Sequence, residues 1–519
     1  MKSRTTAFFV LVILIAAVSG PRLAQAQSGD ENLQYGLRAL QQHNFAAAEQ
    51  AFSKLVRRDP SARNYNYLAL AEAANGKLDQ ATVDFQKSID LGANSSSVYY
   101  NLGLAYLQRG EPESAIQEFR HAISLNPEYL PGRYAMGMTL LRLGRARQAV
   151  DAFNEARKQA PRDPRLWAAL VEAEFDAGYS QQAVESAREA SEALPNNPRL
   201  AVTLASACLH HRQIQTARNL LEDANELMPQ NSEVRILLAK VSLRAGEPVE
   251  ALAVLRGMPS SGKKDPEEMN LMGEARALTG NLGAAQEDIA SALKDDPNNA
   301  RYLTTYAWIE QLQGRQHAAL ATLLKAQALD PKTPAIPYKM AVSYYFLGQY
   351  QQAEAECTAA IRLKQQDAPA YVLRGMIQLR QKHLRGAVDS LQKAVRLNPG
   401  AALFHRELGK ALFESGQPIT AGKEFDRTLA LDPKDAEAYF WRAKSLAREG
   451  SEQQAIASLN TAVELKPNYA DAYAELAELY AKAGQLQQAA QATAQQKRAQ
   501  ASSETSSGGL LRSLPDEPQ

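Results

Sequence analysis

Cysteine is almost absent from this chain of 519 residues: only Cys208 and Cys357 occur. They are widely separated, so no structural disulfide is expected, and both read as small buried apolar residues. An excess of one charge is absent too. Lys and Arg total 58 against 57 Asp and Glu, a formal net charge of +1, whereas a nucleic-acid partner calls for a concentrated basic face. Aromatic residues make up 7% and the helical pattern described below is continuous, which leaves no room for a strand-rich domain. The longest apolar run, residues 7–18, is shorter than the roughly 20 residues needed to span a bilayer.

Catalytic signatures are missing as well. The nearest is Gly257-Met-Pro-Ser-Ser-Gly-Lys263-Lys264. It follows the phosphate-cradling loop pattern up to its last position, where Lys264 replaces the hydroxyl that would hold magnesium. No strand precedes it, and Asp265-Pro266 follows with no helix expected to begin there, so it reads as a loop. The histidines at 43, 121, 210, 211, 317, 383 and 405 are scattered. His210 and His211 would point in different directions on a helix and lack carboxylate or cysteine companions, so no metal site is expected. No serine or cysteine nucleophile is paired with a base at a recognisable spacing. The chain reads as a non-enzyme without a cofactor.

The N-terminus reads as a targeting segment. Lys2 and Arg4 precede the apolar run Ala7–Val18, and Ala24-Gln-Ala26 offers a small-residue cleavage site. Residues 1–26 are therefore expected to be a signal peptide cut after Ala26, which places the mature protein in an exported compartment, periplasmic or extracellular. No cysteine follows the run, which disfavours a lipoprotein. Retention of the segment as a membrane anchor is the alternative, and the sequence of the mature N-terminus decides between a start at Gln27 and one at Met1 or Lys2. Asn94-Ser-Ser96 fits a glycosylation acceptor.

The rest is dominated by a repeat. Alanine recurs every 34 residues at 81, 115, 149, 183, 217, 251, 285, 319, 353, 387, 421, 455 and 489. Glycines run five residues ahead, from Gly76 to Gly484, interrupted only by Arg212 and Lys382. Prolines run from Pro127 to Pro467 in the same register, with Lys263 and Gln365 in the gaps. An earlier unit, offset by one, carries Gly36, Ala48, Phe52 and Pro60. A fixed period of this length marks one supersecondary unit repeated along the chain. Within Val98–Gly110 apolar residues recur at three- and four-residue intervals, as one helical face requires. Gly110 suits the left-handed end of that helix. Ser114–Leu125 is a second amphipathic stretch, stopped at Asn126-Pro127 because proline cannot extend a helix. The unit is helix, glycine turn, helix, proline stop. The ladder alanine is expected to face the first helix, meeting a small residue such as Gly103, Gly137, Gly273, Gly375 or Gly409 so that the two helices cross closely.

Tyr99, Leu102-Gly103, Tyr106, Gly110, Ala115, Phe119, Ala122 and Pro127 make this sequence resemble the tetratricopeptide repeat family in one complete unit. Other units depart from it, with Ala187, Leu221, Leu255 and Cys357 in place of the phenylalanine. The likeness covers nearly all of residues 30–499, about fourteen repeats. It implies an all-α, right-handed superhelical solenoid of antiparallel helix pairs. The reading divides the chain into a half-stack over 27–258, a possible hinge at 259–266, a second half-stack with a capping helix over 267–499, and a disordered tail over 500–519.

In that family the first helices line a concave groove for extended peptides or partner helices. The matching positions here are Tyr100, Leu104, Tyr134, Met138 and Arg142, and later Trp308, Tyr338, Tyr345, Arg406, Lys410, Phe440 and Lys444. Aromatic and Arg side chains are enriched where partners bind most tightly, although each of these could instead pack between neighbouring first helices. The stretch from Arg406 to Lys444 is expected to be the more basic. The family's carboxylate-gripping set of Lys, Asn and Arg is not found, since Tyr100 and Leu104 stand where Lys and Asn are required. These features imply a non-catalytic scaffold for protein partners in the cell envelope, serving secretion, pilus or polysaccharide-export assembly. The alternative is a regulatory subunit of a separate envelope enzyme such as a glycosyltransferase.

Overall fold

The computed structural model describes residues 31–256 and 265–502. The expected signal segment, most of the 259–266 loop and all but the first three residues of the tail lie outside them. The described residues form 28 helices and no strand. These alternate as the first (A) and second (B) helix of fourteen repeats, beginning with Glu31–Gln41 and Phe45–Arg58 and ending with Ala470–Lys482 and Leu486–Ser502. Chain contacts separate two compact units, 1–241 and 242–519, divided within the A helix Ser232–Arg244. Six whole helix pairs belong to the first unit and seven to the second. Within each unit a helix touches the next in sequence and, more lightly, the corresponding helix one repeat on. Packing is therefore nearest-neighbour, with no central core.

The turns show why glycine repeats. In repeat 3, A helix Ser96–Arg109, Gly110 has φ 82°, its N–H donates to the Leu107 carbonyl, and the Glu111 N–H donates to the Tyr106 carbonyl. That pair of bonds closes the helix only with a left-handed residue. Arg212 and Lys382, where the row breaks, adopt the same conformation at φ 60° and 61°, as does His43 at 58° in the first repeat. The fold imposes the backbone angle whether or not glycine is present. Replacing Arg212 or Lys382 by glycine should therefore raise the local stability by about 0.5–1 kcal/mol, visible as a higher urea midpoint. The proline row is more permissive. Lys364, before the gap at Gln365, ends its helix in extended backbone just as Asn126 does before Pro127.

The ladder alanines from Ala81 to Ala455 have no exposed surface, while Ala489, in the last described helix, is partly exposed. The expected meeting of alanine with a small residue is corrected in its partner. A Cβ built on Gly103 would lie 2.6 Å from the Phe119 ring and 3.2 Å from the Ala115 carbonyl oxygen. The glycine makes room chiefly for the aromatic ring sixteen residues later. Gly36 serves Phe52, Gly137 serves Phe153 and Gly409 serves Phe425 in the same way. Other repeats differ: Gly273 makes room for Ile289 and Gly375 for Leu391, whereas Ala205 stands with Leu221, Ala307 with Leu323, and Val171 with Ala187, all nearly or fully buried. Repeat 2 keeps Ala69 beside Phe85. At each crossing the two residues together fill a buried space, as close packing requires.

A helix does begin after the Gly257–Lys264 segment, against expectation. Asp265 caps it by accepting from the Glu267 N–H at 2.8 Å. Pro266 then sits in the first turn, where a missing N–H costs nothing.

Candidate protein-binding surface

The side chains expected to meet a partner lie on A helices, and adjacent A helices within each unit touch. In the first unit Tyr100 is 3% exposed, its ring between Phe119 at 5.8 Å and Tyr129 at 5.7 Å. Burial pushes its hydroxyl far above the ordinary tyrosine range. Leu104 is buried beside it. Repeat 4, A helix Leu130–Arg142, differs. Tyr134 and Met138 are half-buried, and Arg142 is exposed and has no ion pair among the described residues. The Tyr134 ring is 6.0 Å from Phe153, and the Arg165 guanidinium lies over it at 6.0 Å. Arg165 is held there by Asp163, with bonds of 2.7 and 3.1 Å, which keep that carboxyl below the usual range.

In the second unit Trp308, Tyr338 and Tyr345 are buried. The Lys339 ammonium sits 5.4 Å from the Trp308 ring centre, and the Arg380 Nε donates to the Tyr345 hydroxyl at 3.2 Å. Phe440 is also buried, 5.0 Å from Tyr469. Lys444 lies against Phe440, Trp441 and Phe413, at 5.5, 5.2 and 5.8 Å, and pairs with Glu475 at 3.2 Å.

The expected basic stretch is not basic once folded. Arg406 bonds Asp435 at 2.7 Å and approaches Glu407 at 3.4 Å and Glu437 at 3.5 Å. Lys410 bonds Glu407 at 2.9 Å and also contacts Glu437. Two cations thus meet three carboxylates across the A helices of repeats 12 and 13. For both cations burial works against the charge, yet the neighbouring carboxylates raise their pKa values. For Glu437 burial raises the pKa, but Lys410 and Arg406 outweigh it and hold the carboxyl low. The acids were legible as neighbours in sequence, at one residue or about one repeat length from the cations, though their pairing needed the helices to be aligned.

Of the twelve residues singled out, six are buried between helices and Arg406, Lys410 and Lys444 are engaged by carboxylates. Tyr134, Met138 and Arg142 remain accessible together. The cysteines are buried and free, and burial pushes the Cys208 thiol up to about 12. His211 stacks on Phe175 with ring centres 4.4 Å apart, and His210 meets it edge-on.

Three family models, each described as tetratricopeptide repeat, match residues 106–172 and 209–275; 33–96, 338–402 and 406–470; and 458–491. RNA polymerase II-associated protein 3 of Xenopus tropicalis is 25% identical over 146 residues, covering 28% of this chain and 21% of that protein. BBSome complex member BBS4 of Bos taurus is 28% identical over 127 residues, 24% of each chain. A TPR repeat-containing protein of Treponema pallidum is 26% identical over 224 residues, 36% of this chain and 27% of the other. The chain thus spans about a fifth to a quarter of these relatives. Among solved structures, the APC/C hetero-tetramer Cut9-Hcn1 aligns with TM-score 0.48 at 17% identity, over 89% of this chain and 98% of that one. YrrB, titled a TPR protein with an unusual peptide-binding site, aligns with TM-score 0.31 at 21% identity, over 36% of this chain and 96% of its own.

Proposed function

This chain belongs to the tetratricopeptide repeat family, and from that premise we propose that it is a non-catalytic scaffold whose A-helix face holds a segment of a protein partner. The observation that carries the reading is the surface of repeat 4. Tyr134, Met138 and Arg142 are exposed or half-buried together, while Tyr100, Leu104, Trp308, Tyr338, Arg406 and Lys410 of repeats 3, 9, 10 and 12 are consumed by packing or ion pairs. An aromatic, a thioether and an uncommitted guanidinium suit a partner segment with an apolar anchor beside an acidic group. The proposed setting is the cell envelope, in an assembly for secretion, pilus formation or polysaccharide export. It rests on the charged, apolar and small-residue succession of residues 2–26.

Photo-crosslinkers placed at positions 134, 138 and 142 in the native host should capture a partner, whereas one at position 108 of the preceding repeat should capture less. The double variant Tyr134→Ala with Arg142→Ala should weaken binding of the captured partner about tenfold or more without changing helicity. Undiminished binding by a fully helical variant would remove repeat 4 as the site.

A further inference from the structure

A second pattern runs through the repeats, linking an A-helix residue with the B-helix residue twelve positions later. In repeat 11 the Ser390 hydroxyl donates to Gln378 at 2.9 Å. In repeat 8 Arg276 pairs with Asp288 at 2.7 Å. In repeats 5 and 9 the A-helix member is a buried glutamate. Ser186 donates to Glu174 at 3.1 Å, and Thr322 donates to Glu310 at 2.9 Å. Each places a polar contact inside the crossing of two helices.

Repeat 2, helices Ala62–Ala74 and Leu78–Asp90, is the odd one. Its pair is two carboxyl groups, Glu72 and Asp84, 7% and 8% exposed. The neighbouring cations do not resolve the conflict. Lys77, at the turn, contacts Glu49 of the preceding B helix, which also accepts from Asn75 at 2.7 Å. Lys87 bonds Asp84 at 3.2 Å and lies over Tyr65. Arg109, from the next A helix, is taken by Thr82, Asp79 and Glu111. The Glu72 Oε2 atom is buried with no hydrogen-bond partner. Two carboxyls buried at one helix crossing cannot both ionise cheaply, which favours a proton on Glu72.

We propose that repeat 2 is a pH-sensitive joint, closed while the buried Glu72 holds a proton and loosened when that proton is lost. The carboxyl-to-hydroxyl and amide-to-hydroxyl pairs elsewhere in the stack carry the same contact without two acids facing each other. Burial first, then Asp84 and Glu49, push Glu72 up to about 7. The folded repeat therefore binds a proton that the unfolded chain has already released. Stability is full below the ordinary glutamate range, falls as pH rises from there to about 7, and is level above it.

The test is amide hydrogen exchange on the full chain at pH 5 and pH 8, read as protection factors so that intrinsic exchange rates cancel. Protection across residues 62–90 should drop roughly ten- to a hundredfold more than across residues 368–397, whose Gln378–Ser390 pair serves as an internal reference. Glu72→Gln should abolish that extra drop. Asp84→Ser, which copies the arrangement of repeat 5, should reduce it and guards against a glutamine variant that fails to pack. An equal pH response in repeats 2 and 11, or one that survives both substitutions, would overturn the proposal.

Discussion

Gly137→Val should unfold repeat 4 locally, at a cost of about 3 kcal/mol or more. A Cβ at that position would stand 2.6 Å from the Phe153 ring, and the ring has no room to retreat because Phe153 is fully buried. The decisive result is the rescue. Repeat 5 already holds a valine at the same position, Val171, opposite Ala187, both without exposed surface. Gly137→Val combined with Phe153→Ala rebuilds that pair in repeat 4 and should recover most of the loss, a coupling between touching residues that a double-mutant cycle measures directly. Protection should fall over residues 130–159 in the single variant and return in the double. No recovery would mean that glycine is required there for its backbone and not for the volume it leaves free. Loss spread evenly over the whole of residues 31–241 would contradict nearest-neighbour packing.

Arg406→Met is the second large effect, about 3 kcal/mol at neutral pH. Arg406 is 14% exposed in its side chain and faces Asp435 and Glu407, themselves 7% and 5% exposed. Removing one partner of a buried ion pair leaves charges that solvent cannot reach, which costs more than the pair contributed. In the variant only Lys410 would oppose three carboxylates, so the pKa of the Glu437 carboxyl, held low in the parent by Lys410 and Arg406, rises. A raised carboxyl pKa destabilises above the unfolded value, near 4, and the penalty shrinks as pH falls through the raised folded values. The parent moves the other way, because Glu437 is held low and its contribution is lost on acidification. Denaturant melts of the two proteins should therefore converge near pH 3–4 and separate at pH 7. A gap independent of pH would show that Arg406 acts through the packing of its aliphatic stem alone.

How much of this was legible beforehand varies by position. The alternation of helices and the left-handed turns could be read from spacing, because backbone geometry at Gly110 or Gly144 admits few residue types. The turn at Arg212 could be inferred only from the register of its neighbours. The binding surface was read less well. Position within the repeat correctly put the twelve side chains on A helices, but it could not distinguish Tyr100, sealed by Tyr129 from the next repeat, from Tyr134, which remains half-exposed.

That difference marks the division between sequence and structure. The 34-residue period by itself determined the helix pairs, their turns and their nearest-neighbour stacking, since each follows from local backbone preference and from one apolar face per helix. Only the tertiary structure decided which side chains were left for a partner. Exposure and charge at an A helix depend on residues about a repeat away in the chain. Glu437 and Asp435 cancel Arg406 and Lys410, Phe119 and Tyr129 enclose Tyr100, and nothing comparable among the described residues reaches Arg142.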